Sequence, residues 1–99
     1  MNYDQIRQFT PQITQIAQRN GISRVFVFGS AARGETTPHS DIDFLVEMQE
    51  GASLFGMAGF GYEVEKLLKV QVDVVPASLM SQLKDRDFVE NLKREAIAL

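Results

Sequence analysis

The sequence predicts an α+β fold, a small mixed β-sheet of three to four strands with helices mainly on one face. Three observations carry that prediction. Apolar residues near both ends of the chain recur at steps of three and four, the period of a helix packed by one stripe. Three short segments, "SRVFVFGS", "SDIDFLVEM" and "VQVDVVP", are β-branched and apolar enough to read as strands. The order is helix, strand, strand, helix, strand, helix, which suits a small sheet carrying helices between and around its strands.

Residues 2–20 place Ile6, Phe9, Ile13 and Ile16 at helical steps. Thr10-Pro11 interrupts them: proline donates no backbone hydrogen bond but fits a first helical turn. A short first helix is therefore expected, then a second starting near Pro11 with Thr10 as its cap. Asn20-Gly21 is a good helix stop. Val25, Phe26, Val27 and Phe28 are apolar without alternation, so this strand should be covered on both faces and end at Gly29. Residues 31–40 are small or polar and read as a loop.

In the second strand Ile42, Phe44 and Val46 share one face, while Asp41, Asp43 and Leu45 share the other. Residues 53–69 read as a helix with a loose start, because Gly56, Gly59 and Gly61 each cost about 1 kcal/mol there relative to Ala. Close packing against a neighbour explains such glycines, as does a surface for a ligand or partner. The third strand alternates, with Val70, Val72 and Val74 on one face and Gln71, Asp73 and Val75 on the other, and Pro76 ends it. Residues 78–84 and 87–97 read as two short helices through the pairs Leu79–Leu83 and Phe88–Leu92. Met48, Met57 and Met80 read as core filler.

With 99 residues, one domain spanning 1–99 is expected. Hydrophobic residues at 44% and charged residues at 23% are ordinary for a soluble globular chain, so a disordered or membrane class is not indicated. The net charge is −3 and the Lys and Arg residues are scattered, which speaks against direct nucleic-acid binding. Lys84, Arg86, Lys93 and Arg94 come closest to a cluster, but Asp85, Asp87, Glu90 and Glu95 dilute them into a solvated helix face. The absence of cysteine excludes disulfides and thiolate metal sites. The N-terminal stretch has no apolar signal core and no run of 18 apolar residues exists, so a cytoplasmic location is expected.

The chemistry concentrates in "VFVFGSAARGETTPHSDIDFLVE". Asp41 and Asp43 project from one strand face, roughly 6–7 Å apart at their Cα atoms. Carboxylates that close need positive charge beside them, or one keeps its proton. An all-carboxylate donor set suits a hard ion such as Mg²⁺ or Mn²⁺ better than Zn²⁺. Asp73 stands mid-strand in an otherwise apolar run. If its strand neighbours the second, three carboxylates share a face and can hold two ions, as phosphoryl-transfer sites do. Gly29 permits a tight turn and close backbone approach, and Ser30 adds a hydroxyl for phosphate oxygens. A helix starting after Ser30 would add its dipole, and Arg33 a permanent positive charge.

Gly-Ser, ten residues, then Asp-x-Asp resembles the signature of the DNA-polymerase-β-like nucleotidyltransferases. The short chain and "GSAARGE" with "SDIDFLVE" most resemble the minimal nucleotidyltransferases, the MntA-type antitoxins paired with a HEPN-domain toxin. That resemblance implies that Gly29 and Ser30 bind the triphosphate, that Asp41, Asp43 and Asp73 hold two Mg²⁺ ions, and that Asp73 lies near the attacking hydroxyl. It further implies transfer of AMP from ATP to a tyrosine of the HEPN ribonuclease, with release of pyrophosphate. A small-molecule acceptor, or neutralisation by contact alone, are the competing expectations. A large partner would supply the substrate-gripping wall that a chain this short lacks, through exposed apolar residues around Phe55 to Phe60 or on the last helices.

Other residues carry less. His39 is a lone loop histidine with no ligand constellation around it. Tyr3 and Tyr62 are expected to pack. Glu35 and Glu47 flank the acidic pair, but Glu47 lies four residues past Asp43 and should be too distant.

Overall fold

The structure, a computed structural model, describes residues 1–34, 41–80 and 86–99, leaving the side chains of Ser30, Arg33, Met80, Phe88, Leu92 and Lys93 undescribed. The chain runs through α1 (Tyr3–Arg7), α2 (Thr10–Arg19), β1 (Ile22–Phe28), α3 (Ser30–Arg33), β2 (Ile42–Met48), α4 (Phe55–Leu68), β3 (Val72–Pro76), α5 (Ala77–Met80), α6 (Arg86–Glu95) and β4 (Ile97–Ala98). The α+β expectation holds, with four strands in the order β3-β2-β1-β4. β1 runs antiparallel to both β2 and β4, and β2 runs parallel to β3. A parallel neighbour needs a crossover, and α4 supplies it by packing across the sheet.

The apolar stripe read from residues 2–20 builds the larger core. Ile6 and Ile13 are fully buried, as are Val27 of β1, Ile42, Phe44 and Val46 of β2, and Phe60 and Val64 of α4. Phe44 and Phe60 meet edge to face, ring centroids 5.8 Å apart at 84°, a geometry favoured by the ring quadrupoles. The opposite face carries a smaller cluster: Leu45 with Phe26, Phe28 and Val75 from the sheet, and Ala77 and Val89 from α5 and α6. β1 is thus apolar on both sides, as its unalternating sequence predicts.

Caps and turns explain where the first helices begin and end. Asn2 and Gln5 form a reciprocal capping box on α1, each bond 2.9 Å. α2 differs from expectation. Phe9 occupies the cap position, its carbonyl accepts the Ile13 N–H at 2.9 Å, and its side chain packs on the core. Thr10 is drawn into the first turn, where its Oγ1 is buried with no hydrogen-bond partner. The core contact of Phe9 outweighs a side-chain cap. Asn20 and Gly21, at φ +74°, end the helix as expected.

Further differences concern short or glycine-rich segments. The expected loop 31–40 opens with the single turn α3, anchored by buried Ala31, while residues 35–40, with Glu35 and His39, lie outside the described set. α4 is regular from Phe55 despite its glycines. The terminal helix stops at Glu95, and residues 97 and 98 pair with Val27 and Phe26 as β4, extended by the Leu99 N–H donating to the Val25 carbonyl at 3.0 Å. The expected helix 78–84 is described only as α5, and Leu83 and the Phe88–Leu92 contact lie outside the described atoms. β3 begins at Val72, because Lys69 takes a left-handed conformation at φ +60° and turns the chain first.

Met48 and Met57 pack on the core as expected, and Tyr3 does too. The exposed apolar surface expected around Phe55 to Phe60 is divided: Phe55 is 87% exposed and Phe60 fully buried. Tyr62 is 60% exposed rather than packed, with the Lys66 ammonium 4.5 Å from its ring centroid. Among the described residues no helix is long and apolar enough to cross a membrane.

Candidate active site

The strand registers bring the acidic residues together. Asp43 is opposite Phe28 on β1 and opposite Asp73 on β3. Neighbouring strands lie about 4.8 Å apart, and residues in register project to the same side. Asp43 and Asp73 are therefore side by side on the face away from α4, and Asp41 lies one repeat earlier on that face, just before β2 begins. Asp41 and Asp73 are exposed, and Asp43 is half-buried and engaged with its surroundings.

Gly29 continues from Phe28 directly into this cluster. Its φ is +72°, and a Cβ added there would run into the Asp43 Oδ2 atom. Both the backbone conformation and the space demand glycine at this position. The turn at Gly29 thus sits against the Asp43 carboxylate, and Ser30 opens α3 immediately beyond it. Arg33 is the last residue of that turn. α3 packs against both β1 and β2, which holds the Gly-Ser step at the acidic edge of the sheet.

The donor set is carboxylate only, which suits a hard divalent ion such as Mg²⁺. Asp43 and Asp73 stand in register, although among the described residues no three acidic or imidazole side chains gather around one point. Glu47 turns toward Arg24, Oε2 to Nε 3.9 Å, and stays apart from the acidic pair as expected.

One participant escapes sequence reasoning. The Glu65 Oε1 atom accepts the Val72 backbone N–H at 3.1 Å, tying α4 to the start of β3 one residue before Asp73. Its only signal was an acidic residue near the end of a helix, where a basic one is usual.

The nucleotidyltransferase domain model matches residues 11–99, and the chain belongs to that family. It is therefore a nucleotidyltransferase enzyme. A protein of Methanocaldococcus jannaschii carrying the assigned name protein adenylyltransferase is 41% identical over 87% of this chain and 90% of its own length. The protein adenylyltransferase MntA of Thermococcus cleftensis is 38% identical over 65% of each chain. A solved structure described as a minimal nucleotidyltransferase superposes with a TM-score of 0.80 at 38% identity, covering 100% of this chain and 97% of that one. The fold also recurs, at a TM-score of 0.52 and 18% identity over 78% of this chain and 64% of the other, in a tri-AMPylated Shewanella oneidensis HEPN toxin in complex with its MNT antitoxin.

Proposed function

We propose that residues 1–99 form a single-domain antitoxin that transfers AMP from ATP to a tyrosine hydroxyl of a partner HEPN ribonuclease and so neutralises it. The observation that carries this reading is the register pairing of Asp43 with Asp73, beside the glycine turn that leads into Ser30. Relatives named protein adenylyltransferase, one of them MntA, support the choice of acceptor class. The fold shared with an antitoxin bound to a HEPN toxin supports the partner.

The reaction forms a bond from the acceptor oxygen to the α-phosphorus and breaks the bond from that phosphorus to the β-phosphate bridge. Pyrophosphate leaves, and the hydroxyl proton passes to a base. Asp41, Asp43 and Asp73 would hold two Mg²⁺ ions, Mn²⁺ being an alternative, and these ions would neutralise phosphate oxygens and align attacker with leaving group. The Gly29 backbone and Ser30 hold triphosphate oxygens, and Arg33 adds positive charge beside them. Asp73 stands on β3, an edge strand among the described residues, where an incoming hydroxyl can approach it, and takes the proton as general base.

The test incubates the protein with ATP labelled at the α-phosphate, Mg²⁺ and the product of the adjacent gene, the expected HEPN protein. Label should appear on a tyrosine of that protein, and Asp41→Asn or Asp43→Asn should reduce it about 100-fold or more, since metal stabilisation of the transition state is worth several kcal/mol. Label on a small molecule alone would move the acceptor to that class. Neutralisation by the variants as strong as by wild type would make contact, and not transfer, the mechanism.

A further inference from the structure

We propose that the acceptor polypeptide docks as an added strand along the outer edge of β3, its hydroxyl residue opposite Asp73 and its two neighbours in the apolar groove on the other face. This rests on the reading that the chain transfers AMP to a protein, and it names the form in which the protein substrate is recognised.

Among the described residues, no strand lies beyond β3. The Gln71 carbonyl accepts the Ile42 N–H at 3.0 Å, so the odd-numbered residues of this strand turn their hydrogen-bonding groups toward β2. Val72 and Val74 then turn theirs outward. The Val72 N–H does point away from β2, since it reaches Glu65 on α4. Pro76 has no N–H, which closes the edge at its far end. Among the described residues nothing pairs with the Val72 carbonyl or with either polar group of Val74, which leaves them for an incoming chain.

That pattern sets the register. In an antiparallel addition Val74 forms the hydrogen-bonded pair, and Asp73 becomes a non-hydrogen-bonded position, where facing Cα atoms approach to about 4.5 Å. The residue opposite Asp73 shares its face, so its side chain rises beside the acidic cluster. The residues before and after it point to the opposite face, over Val72 and Val74.

The opposite face is shaped to receive them. A mostly apolar groove of about 460 Å³ runs between α4 and β3, lined by Leu54, Met57, Gly61, Tyr62, Val72 and Val74 together with the one carboxylate of Glu65. Leu54 and Tyr62 are 67% and 60% exposed. Gly61 leaves this wall without a side chain. The groove is continuous with the strand that carries Asp73, so one extended segment reaches both. Main-chain pairing supplies affinity and alternate side chains supply choice, the logic of strand addition in peptide recognition. The acceptor segment is thus apolar, hydroxyl, apolar in sequence.

Binding and transfer are measured separately. The probe is a blocked seven-residue peptide with a central tyrosine between two valines and threonines outside them. Its control carries glutamates in place of the valines. Titration into the ¹⁵N-labelled protein should shift the amides of residues 72–75 and of residues 54–62 saturably, and the control should bind at least tenfold more weakly. Val74→Pro removes the outward N–H at an edge position, where proline is tolerated, and Tyr62→Glu charges the groove on an exposed position. Each should weaken the peptide at least tenfold. No saturable binding, shifts away from β3, or equal binding of the control overturns the proposal. Transfer is read in parallel as label from α-labelled ATP on the bound peptide and on the HEPN protein. Failure of label on every acceptor, with peptide still bound along β3, refutes the transferase reading and leaves the docking mode standing.

Discussion

Gly29 shows how much a single residue decides. Alanine there must adopt a left-handed backbone, at a cost of about 1–2 kcal/mol, and its Cβ must displace the Asp43 carboxylate. Gly29→Ala should lower stability by that amount or slightly more in urea unfolding. It should also reduce AMP transfer further than the lost stability explains, because the carboxylate has to move. An alanine variant with wild-type turnover would mean that the turn does not need to approach Asp43. At this scale most of the candidate site is legible in the sequence, because strand alternation alone puts Asp41 and Asp43 on one face and a glycine ends the strand before them. Glu65 is not legible, since its hydrogen bond to Val72 depends on how α4 lies across the sheet and on the left-handed turn at Lys69.

At the scale of the element, α4 separates intrinsic propensity from packing. Its glycines suggest a frayed start, yet the helix is regular from Phe55 because the missing side chains let it approach the end of α2. A Cβ on Gly56 would strike the Asn20 backbone carbonyl, and one on Gly59 the Asn20 side-chain oxygen. Asn20 is itself held, donating its Nδ2 to the Ile16 carbonyl at 2.8 Å and to Glu63 at 2.7 Å. A Cβ on Gly61 would lie 3.4 Å from the Val74 Cγ2 atom, an ordinary contact. Gly56→Ala should therefore destabilise by about 1–3 kcal/mol, the range for overpacking, although alanine is the better helix former. Gly61→Ala should be neutral or stabilise by up to about 1 kcal/mol. Urea midpoints that moved together in both variants would show that propensity and not contact governs this helix. The strands and long helices are legible because their periods are, whereas α3 and β4, of four and two residues, are too short to display one. The Thr10 cap misled because a local hydrogen bond competed with the burial of Phe9.

The whole molecule joins its stability to its site through β2. Asp43 and Phe44 are consecutive, one facing the acidic edge and the other the core, where it is fully buried. What the sequence leaves open is whether the third strand neighbours the second, since that depends on the α4 crossover bringing Val72 opposite Ile42. With that register given, anything bound across Asp41, Asp43 and Asp73 bridges β2 and β3 and should stabilise the folded state as a unit. A ligand at 100 times its Kd contributes about 2.7 kcal/mol, and for a domain of this size each kcal/mol raises Tm by about 4–8 °C. ATP with Mg²⁺ should therefore raise Tm by about 10 °C or more. Asp41 is exposed, so Asp41→Asn should leave the ligand-free stability within about 0.5 kcal/mol of wild type while abolishing most of the ligand-induced rise in Tm. Chelating the metal from the wild-type mixture should do the same. An equal rise in wild type and variant would place the nucleotide somewhere other than the acidic edge, and the carboxylates would then need another purpose.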